Sequence, residues 1–213
     1  MEPVVQFENA GVSLGGSPVL RDLDLVVSPG ESVGIAGPNG SGKTTLVRAA
    51  ATLLAVDSGT VTVLGADSRQ PDLATKRAIG LIGHQPAVIP ELTLEENLVH
   101  IARLAGVDTG RVGKALDVVG LADAADRRAD ASSFGMRRRV EIAHLLLTQP
   151  MLLLLDEAAS GLDDSARDLV DALVRSVCER GGGCLVVSHD RSQLETLTSR
   201  VMNLVAGRLE AVS

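Results

Sequence analysis

The stretch Gly37-Pro38-Asn39-Gly40-Ser41-Gly42-Lys43-Thr44-Thr45 constrains this chain more than any other. It follows the pattern glycine, four residues, then Gly-Lys-Thr. A short apolar run, Ser32 to Ala36, precedes it, and Thr44 to Ala55 follows with apolar residues at helical spacing. The loop therefore joins a strand to a helix, the setting in which glycines let backbone N–H groups curl around phosphate oxygens. Lys43 is placed to reach β- and γ-phosphates, and the Thr44 hydroxyl to ligate Mg²⁺. The positive end of the following helix faces the same anion. Of the 20 Lys and Arg residues only Lys43, Lys76 and Lys114 are lysines. Arg does not replace a compact ammonium at a tight phosphate site, so a lysine at position 43 in an arginine-preferring chain favours the phosphate reading.

The rest of the chain alternates strand and helix patterns. Residues 4 to 9 and 19 to 27 alternate apolar and polar, predicting strands of an antiparallel layer. Asp57-Ser58-Gly59 reads as a turn before a strand over 59–64, and Pro71 to Arg77 as a short helix. Ile79 to Ile82 is a buried strand ended by Gly83-His84-Gln85-Pro86. Thr93-Leu94-Glu95-Glu96 is a capping box opening a helix to about Leu104. Further helices are expected over 111–119, 135–148, 163–180 and 192–198. Met151 to Leu155 and Cys184 to Val187 read as apolar strands, and two short strands surround a turn at Gly207. Wholly apolar strands between helices indicate a mainly parallel sheet covered on both faces. The fold class is thus α/β of the phosphate-loop kind, with an N-terminal antiparallel β layer. Residues 1–213 read as a single domain: 1–85 and 151–213 form the α/β core with its β layer, and 86–150 an inserted helical subdomain.

Several polar residues fall just past strand ends, where ligands of parallel sheets collect. Leu152 to Leu155 runs into Asp156-Glu157, which sets Asp156 near a Mg²⁺ shell and lets Glu157 face an attacking water as general base. Gln85 can ligate Mg²⁺, or hold the water and report occupancy. His189 can donate to a γ-phosphate. Arg137, Arg138 and Arg139 could be a phosphate or nucleic-acid patch, but about 100° of helix separates each from the next, which favours a solvated or partner-facing surface.

Composition narrows the partners. The net charge of −7 carries no basic footprint, and Phe7 and Phe134 are the only aromatic residues, so nucleic acid is not an expected partner. Cys178 and Cys184 are too few for a disulfide framework and read as small core residues of a reducing compartment. The N-terminus has no signal-peptide pattern, and no apolar run reaches membrane-spanning length.

Together these residues resemble the ATP-binding subunits of ABC transporters over nearly the whole chain. Gly37–Thr45 resembles the Walker A loop, Leu152–Glu157 Walker B with its catalytic glutamate, Gln85 the Q-loop glutamine, Ser160-Gly161-Leu162-Asp163 the D-loop and His189 the switch histidine. Ser133-Phe134-Gly135-Met136 resembles the signature that begins L-S-G-G-Q, with Phe134 in place of its first Gly and Met136 in place of its Gln. The position that stacks adenine on an aromatic falls at Leu14, and the Pro that often follows the glutamate is Ala158. The resemblance implies ATP and Mg²⁺ as ligands. It implies ATP sandwiched between the Walker A loop of one subunit and Ser133, Gly135 and Asp163 of a second copy or paralogue packed head to tail. It also implies an integral membrane permease as partner and a peripheral place at the cytoplasmic face of the membrane. Gly83-His84-Gln85-Pro86, Glu91 to Leu98 and Gly135-Met136-Arg137 resemble the haem-exporter ATPases of cytochrome c maturation. The expected absence of a regulatory extension after Ser213 points the same way. Haem export is therefore preferred, with a drug or polysaccharide exporter ATPase or a non-transport regulatory ATPase as alternatives.

Overall fold

The computed structural model describes residues 2–158 and 162–211. Its backbone divides into two compact units. One comprises Met1–Leu81, Pro150–Glu157 and Val174–Ser213, and the other Ile82–Gln149 and Ala158–Leu173.

The first unit holds two sheets. β1 (Val5–Leu14) and β2 (Ser17–Val27) pair antiparallel, and with β4 (Ser58–Val63) and β5 (Ala66–Asp67) they form a four-stranded sheet in the order β2-β1-β4-β5. β1 runs five residues beyond the alternation visible in the sequence. Asn9 takes a left-handed φ of 47° and inserts a bulge, after which Ala10 and Val12 return to the buried face. Asp22 does the same for β2 at φ 45°, so Leu20 and Leu23 are both buried although three residues apart. Ser58 belongs to β4 rather than to the turn expected there.

The second sheet has the order β10-β9-β3-β8-β7-β6, built from β3 (Ser32–Ala36), β6 (Ile79–Ile82), β7 (Leu152–Asp156), β8 (Gly183–Ser188), β9 (Arg200–Val205) and β10 (Arg208–Ala211). β3 is parallel to both β8 and β9, β7 is parallel to β8, and the β9–β10 hairpin is antiparallel. Every residue of β3, β7 and β8 is buried, which is why these strands read as continuous apolar runs instead of alternating. α1 (Lys43–Ala50) packs on β7 and β8, and α7 (Arg191–Leu197) on β3, β8 and β9. One cluster joins the two sheets: Phe7, Leu23, Val33, Ile35, Leu46, Leu154 and Leu185 are all at most 1% exposed. Burying such a side chain stabilises by roughly 1.5–3 kcal/mol. α1 ends five residues before the expected Ala55. Thr52 turns left-handed at φ 59° and the Leu53 amide bonds back to the Arg48 carbonyl, closing the helix end.

The second unit packs α3 (Leu94–Ala105), α4 (Val112–Val118) and α5 (Phe134–Thr148) against one another. The capping box is present: Thr93 Oγ1 accepts from the Glu96 amide at 3.1 Å and Glu96 Oε2 from the Thr93 amide at 2.8 Å. α2 (Leu73–Arg77) lies in the first unit, capped by Asp72 rather than started by Pro71. α6 (Asp164–Glu179) begins in the second unit and ends in the first.

Candidate functional site

The register of the parallel strands sets the site. Ala36 of β3 is level with Ser188 of β8, and Asp156 of β7 is level with Val187. β8 lies between the other two, so Gly37, Glu157 and His189 leave adjacent strands at the same edge of the sheet.

Two glycines of the loop cannot be exchanged. A Cβ on Gly37 would stand 2.5 Å from the Leu204 carbonyl oxygen, and one on Gly42, whose φ is 108°, would stand 2.8 Å from Leu20 Cδ2. Gly42 caps α1 without a side-chain bond, leaving the helix N-terminus for an anion. Lys43 is buried, and its Nζ donates to the carbonyls of Gly37 at 2.7 Å and Pro38 at 3.1 Å. The ammonium is thereby drawn back across the loop. The Ser41 hydroxyl is buried without a hydrogen-bond partner. A cavity of about 270 Å³ is lined by Val19, Asn39, Gly40, Gly42, Lys43, Thr44, Thr45, Asp156 and Glu157. It brings together the expected phosphate loop and both acidic residues.

Glu157 ties the strand ends together. Its Oε2 lies 2.9 Å from His189 Nδ1 and accepts from Ser188 Oγ at 3.3 Å, while Oε1 lies 3.9 Å from Lys43 Nζ. Its backbone has a φ of 54°, a conformation that costs a side-chain-bearing residue about 1–3 kcal/mol. The Glu157 amide donates to the Val187 carbonyl at 3.0 Å, which holds that conformation beside β8. A carboxylate with a cation on one side and an imidazole on the other can take a proton from a nucleophile at the cavity. The Thr44 hydroxyl and the largely buried Asp156 carboxylate are hard oxygen donors at one cavity wall, a set that suits Mg²⁺. Ser188 was not expected from sequence, although its place next to His189 at the end of an apolar strand could have marked it. Leu14 is 44% exposed beside the Gly15-Gly16 turn and is absent from the cavity lining; Val19 is the lining residue from β2.

The other expected site residues belong to the second unit. Gln85 lies in the segment after β6. Ser133 caps α5, accepting from the Met136 amide at 3.2 Å, and Gly135 lies in the first turn. Asp163 accepts from the Ala166 amide at 2.8 Å and from Arg139 Nη2 at 3.0 Å. Those bonds, the backbone one first, hold its carboxyl below the usual range. Ser160 and Gly161, expected in the same loop, lie outside the described residues.

The three consecutive arginines overturn the surface reading. Arg137 donates to the carbonyls of Ala129 and Ser132, and Arg139 to Val119 and Asp163. Arg138 is 1% exposed. Its Nη1 lies 2.6 Å from Glu141 Oε2, its Nη2 donates to the His84 carbonyl at 3.0 Å, and its guanidinium sits 5.3 Å from the centre of the Phe134 ring. Glu141 Oε1 accepts from the Ala87 amide at 2.7 Å. Arg138 and Glu141 thus clamp both sides of Gln85 to α5. Phe134, the departure from the signature pattern, supplies the face on which the buried cation rests. Among the described residues no helix is long and apolar enough to cross a membrane.

Comparison with known proteins agrees with this architecture. Residues 20–160 match the family model described as ABC transporter. The Nod factor export ATP-binding protein I of Rhizobium etli is 33% identical over 96% of this chain. The daunorubicin/doxorubicin resistance ATP-binding protein DrrA of Streptomyces peucetius is 37% identical over 99%. The chain spans 66% of the length of each relative. A solved dimeric ATP-binding cassette in a post-hydrolysis state, bound to ADP and Pi, superposes with a TM-score of 0.84 at 25% identity, covering 97% of this chain and 96% of that one. These relatives side with the drug-exporter alternative and lend the haem-export preference no support. The phosphate loop and acidic strand end, the two-sheet architecture and the family match agree: this chain belongs to the ABC transporter ATP-binding domain family.

Proposed function

We propose that the chain binds ATP with Mg²⁺ and hydrolyses it as the motor part of a membrane export complex, of the drug or polysaccharide exporter type rather than the haem type. The observation that carries this reading is the meeting of Lys43, Asp156 and Glu157 at one cavity, with His189 held against Glu157 behind it. The export assignment draws on the names of the two relatives.

On this reading Lys43 Nζ leaves its two carbonyls for the β- and γ-phosphate oxygens, and the amides from Asn39 to Thr45 wrap the same phosphates. Thr44, Asp156 and Gln85 would hold Mg²⁺, which when bound draws charge from the transferring phosphoryl group. Glu157 Oε accepts the proton of the attacking water, and His189 orients that carboxylate until the γ-phosphate takes over as its partner. Ser133, Gly135 and Asp163 present α5's N-terminus and the loop after β7 to the nucleotide of a second copy, packed head to tail. That a similar solved cassette is a dimer supports the pairing of two copies. The whole chain acts as one cassette on the cytoplasmic face of the membrane, bound to a permease.

Glu157→Gln tests the motor reading. It keeps the shape and the bond to His189 but cannot take the proton, so hydrolysis should fall about 10²–10⁴-fold while ATP still binds. If the chain, with or without a membrane partner, shows no hydrolysis that Glu157→Gln removes, the motor reading fails. Leu14 gives a second result. Leu14→Tyr restores a stacking face and should tighten ATP binding by about 1 kcal/mol, roughly fivefold, while leaving inorganic triphosphate unchanged in a calorimetric titration.

A further inference from the structure

Cys178 and Cys184 lie away from the cavity lining, and the functional reading uses neither. The expectation that both are plain core residues holds for Cys184, which is 0% exposed; Cys178, near the end of α6, is only partly buried. Their Sγ atoms are 3.8 Å apart, in van der Waals contact, and both thiols are free. The chain brings them together through Gly181-Gly182-Gly183. The Gly182 Cβ position lies 2.6 Å from the Met151 carbonyl oxygen, so only glycine makes this connection without displacing the strand. The Gly181 amide bonds to the Cys178 carbonyl, Gly182 to Val177, Gly183 to Met151 and Cys184 to Glu31. The backbone at both cysteines is therefore held while their side chains face each other.

We propose that Cys178 and Cys184 form an oxidisable dithiol site that a peroxide converts to an internal disulfide. The Cys178 sulfur attacks the peroxide O–O bond. One oxygen stays on sulfur as a sulfenic acid, and the other leaves as hydroxide and is protonated to water. The Cys184 sulfur then attacks the sulfenic sulfur; an S–S bond forms, the S–O bond breaks, and the departing hydroxide takes the Cys184 proton as a second water. Two thiols lose two electrons and two protons, and the peroxide is reduced to two waters.

The two thiols differ in the way such a sequence needs. The Cys184 thiol beside it, then to a lesser degree the Ser32 hydroxyl, hold the Cys178 thiol below the usual range against the opposing effect of burial. The bond to Cys178 and burial push Cys184 up, so it stays a protonated donor until a sulfenic acid forms beside it. Cys178 is the more exposed residue of the two and is assigned the first attack on peroxide. A disulfide requires the sulfurs to close to about 2.05 Å, which rotation of the partly exposed Cys178 side chain can provide while the backbone stays pinned.

The test uses the full chain, reduced, desalted and treated with stoichiometric hydrogen peroxide, with intact mass, thiol titration and peptide mapping as readouts. The expected result is loss of both thiols, a mass lower by two hydrogens, a Cys178–Cys184 cross-linked peptide, and recovery of both thiols with dithiothreitol. Cys184→Ser should stop at a Cys178 sulfenic acid that dimedone traps, and Cys178→Ser should keep its remaining thiol at the same dose. Retention of both thiols in the wild type overturns the proposal. So does a Cys178 sulfinic acid or a dimer cross-linked between chains in place of the internal disulfide. None of these readouts depends on ATP turnover.

Discussion

Lys43→Ala is expected to abolish nucleotide binding and turnover together. Lys43 is the buried cation of the loop, and its Nζ reaches three oxygens at once: the carbonyls of Gly37 and Pro38 and, at 3.9 Å, a carboxylate oxygen of Glu157. Its removal deletes the charge that would face the β- and γ-phosphates, in a site whose low exposure leaves little screening. It also leaves two loop carbonyls without their donor. Losing one preorganised electrostatic contact of this kind costs about 10²–10³-fold in rate. Calorimetric titration should show ATP affinity falling with it, whereas Glu157→Gln keeps affinity and loses only turnover. If Lys43→Ala binds ATP as tightly as the wild type, the phosphate assignment of the loop is wrong.

Breaking the Arg138–Glu141 pair should give the largest stability loss of any exchange in the helical unit. Both side chains are nearly inaccessible to water, at 1% and 6% exposure. Burial pushes the Glu141 carboxyl up and the Arg138 guanidinium down, against the mutual attraction of the pair. Desolvation is therefore the larger influence, and each charge is tolerated because the other answers it. Arg138→Met leaves the Glu141 carboxylate buried and unanswered, a change worth about 3–5 kcal/mol. The double variant Arg138→Met/Glu141→Leu removes both charges and should regain at least about 1 kcal/mol of that loss. It will not regain all of it, because the His84 carbonyl and Ala87 amide still lose their partners. Urea unfolding of the two variants reads both values. A loss under about 1 kcal/mol for Arg138→Met would show that water or a neighbour takes up the charge.

These two residues mark where sequence reading stopped. Helical geometry correctly spread Arg137, Arg138 and Arg139 around α5, but it could not say which side was buried. A run of charges usually denotes a solvated face, and only the packing of the segment 84–87 against α5 makes Arg138 internal. Phe134 likewise reads as damage to a signature until the guanidinium is found over its ring. Bulges at Asn9 and Asp22 were invisible for a related reason. A single left-handed residue shifts the alternation, and the side chains on either side then seem out of phase.

The phosphate loop, the apolar parallel strands, the acidic end of β7 and the capping box of α3 are all legible in the residues alone. Each is local: glycine spacing, continuous apolar runs and a Thr-to-Glu interval of three act within one turn or one strand. The tertiary structure decided what meets what. Strand order β3-β8-β7 puts Glu157 within hydrogen-bond reach of His189, 32 residues away, and within 3.9 Å of Lys43. The same β8, reached through three glycines, sets Cys184 against Cys178 at its other end. The distances among Lys43, Glu157 and His189 depend on register between strands far apart in the chain, which no local pattern encodes.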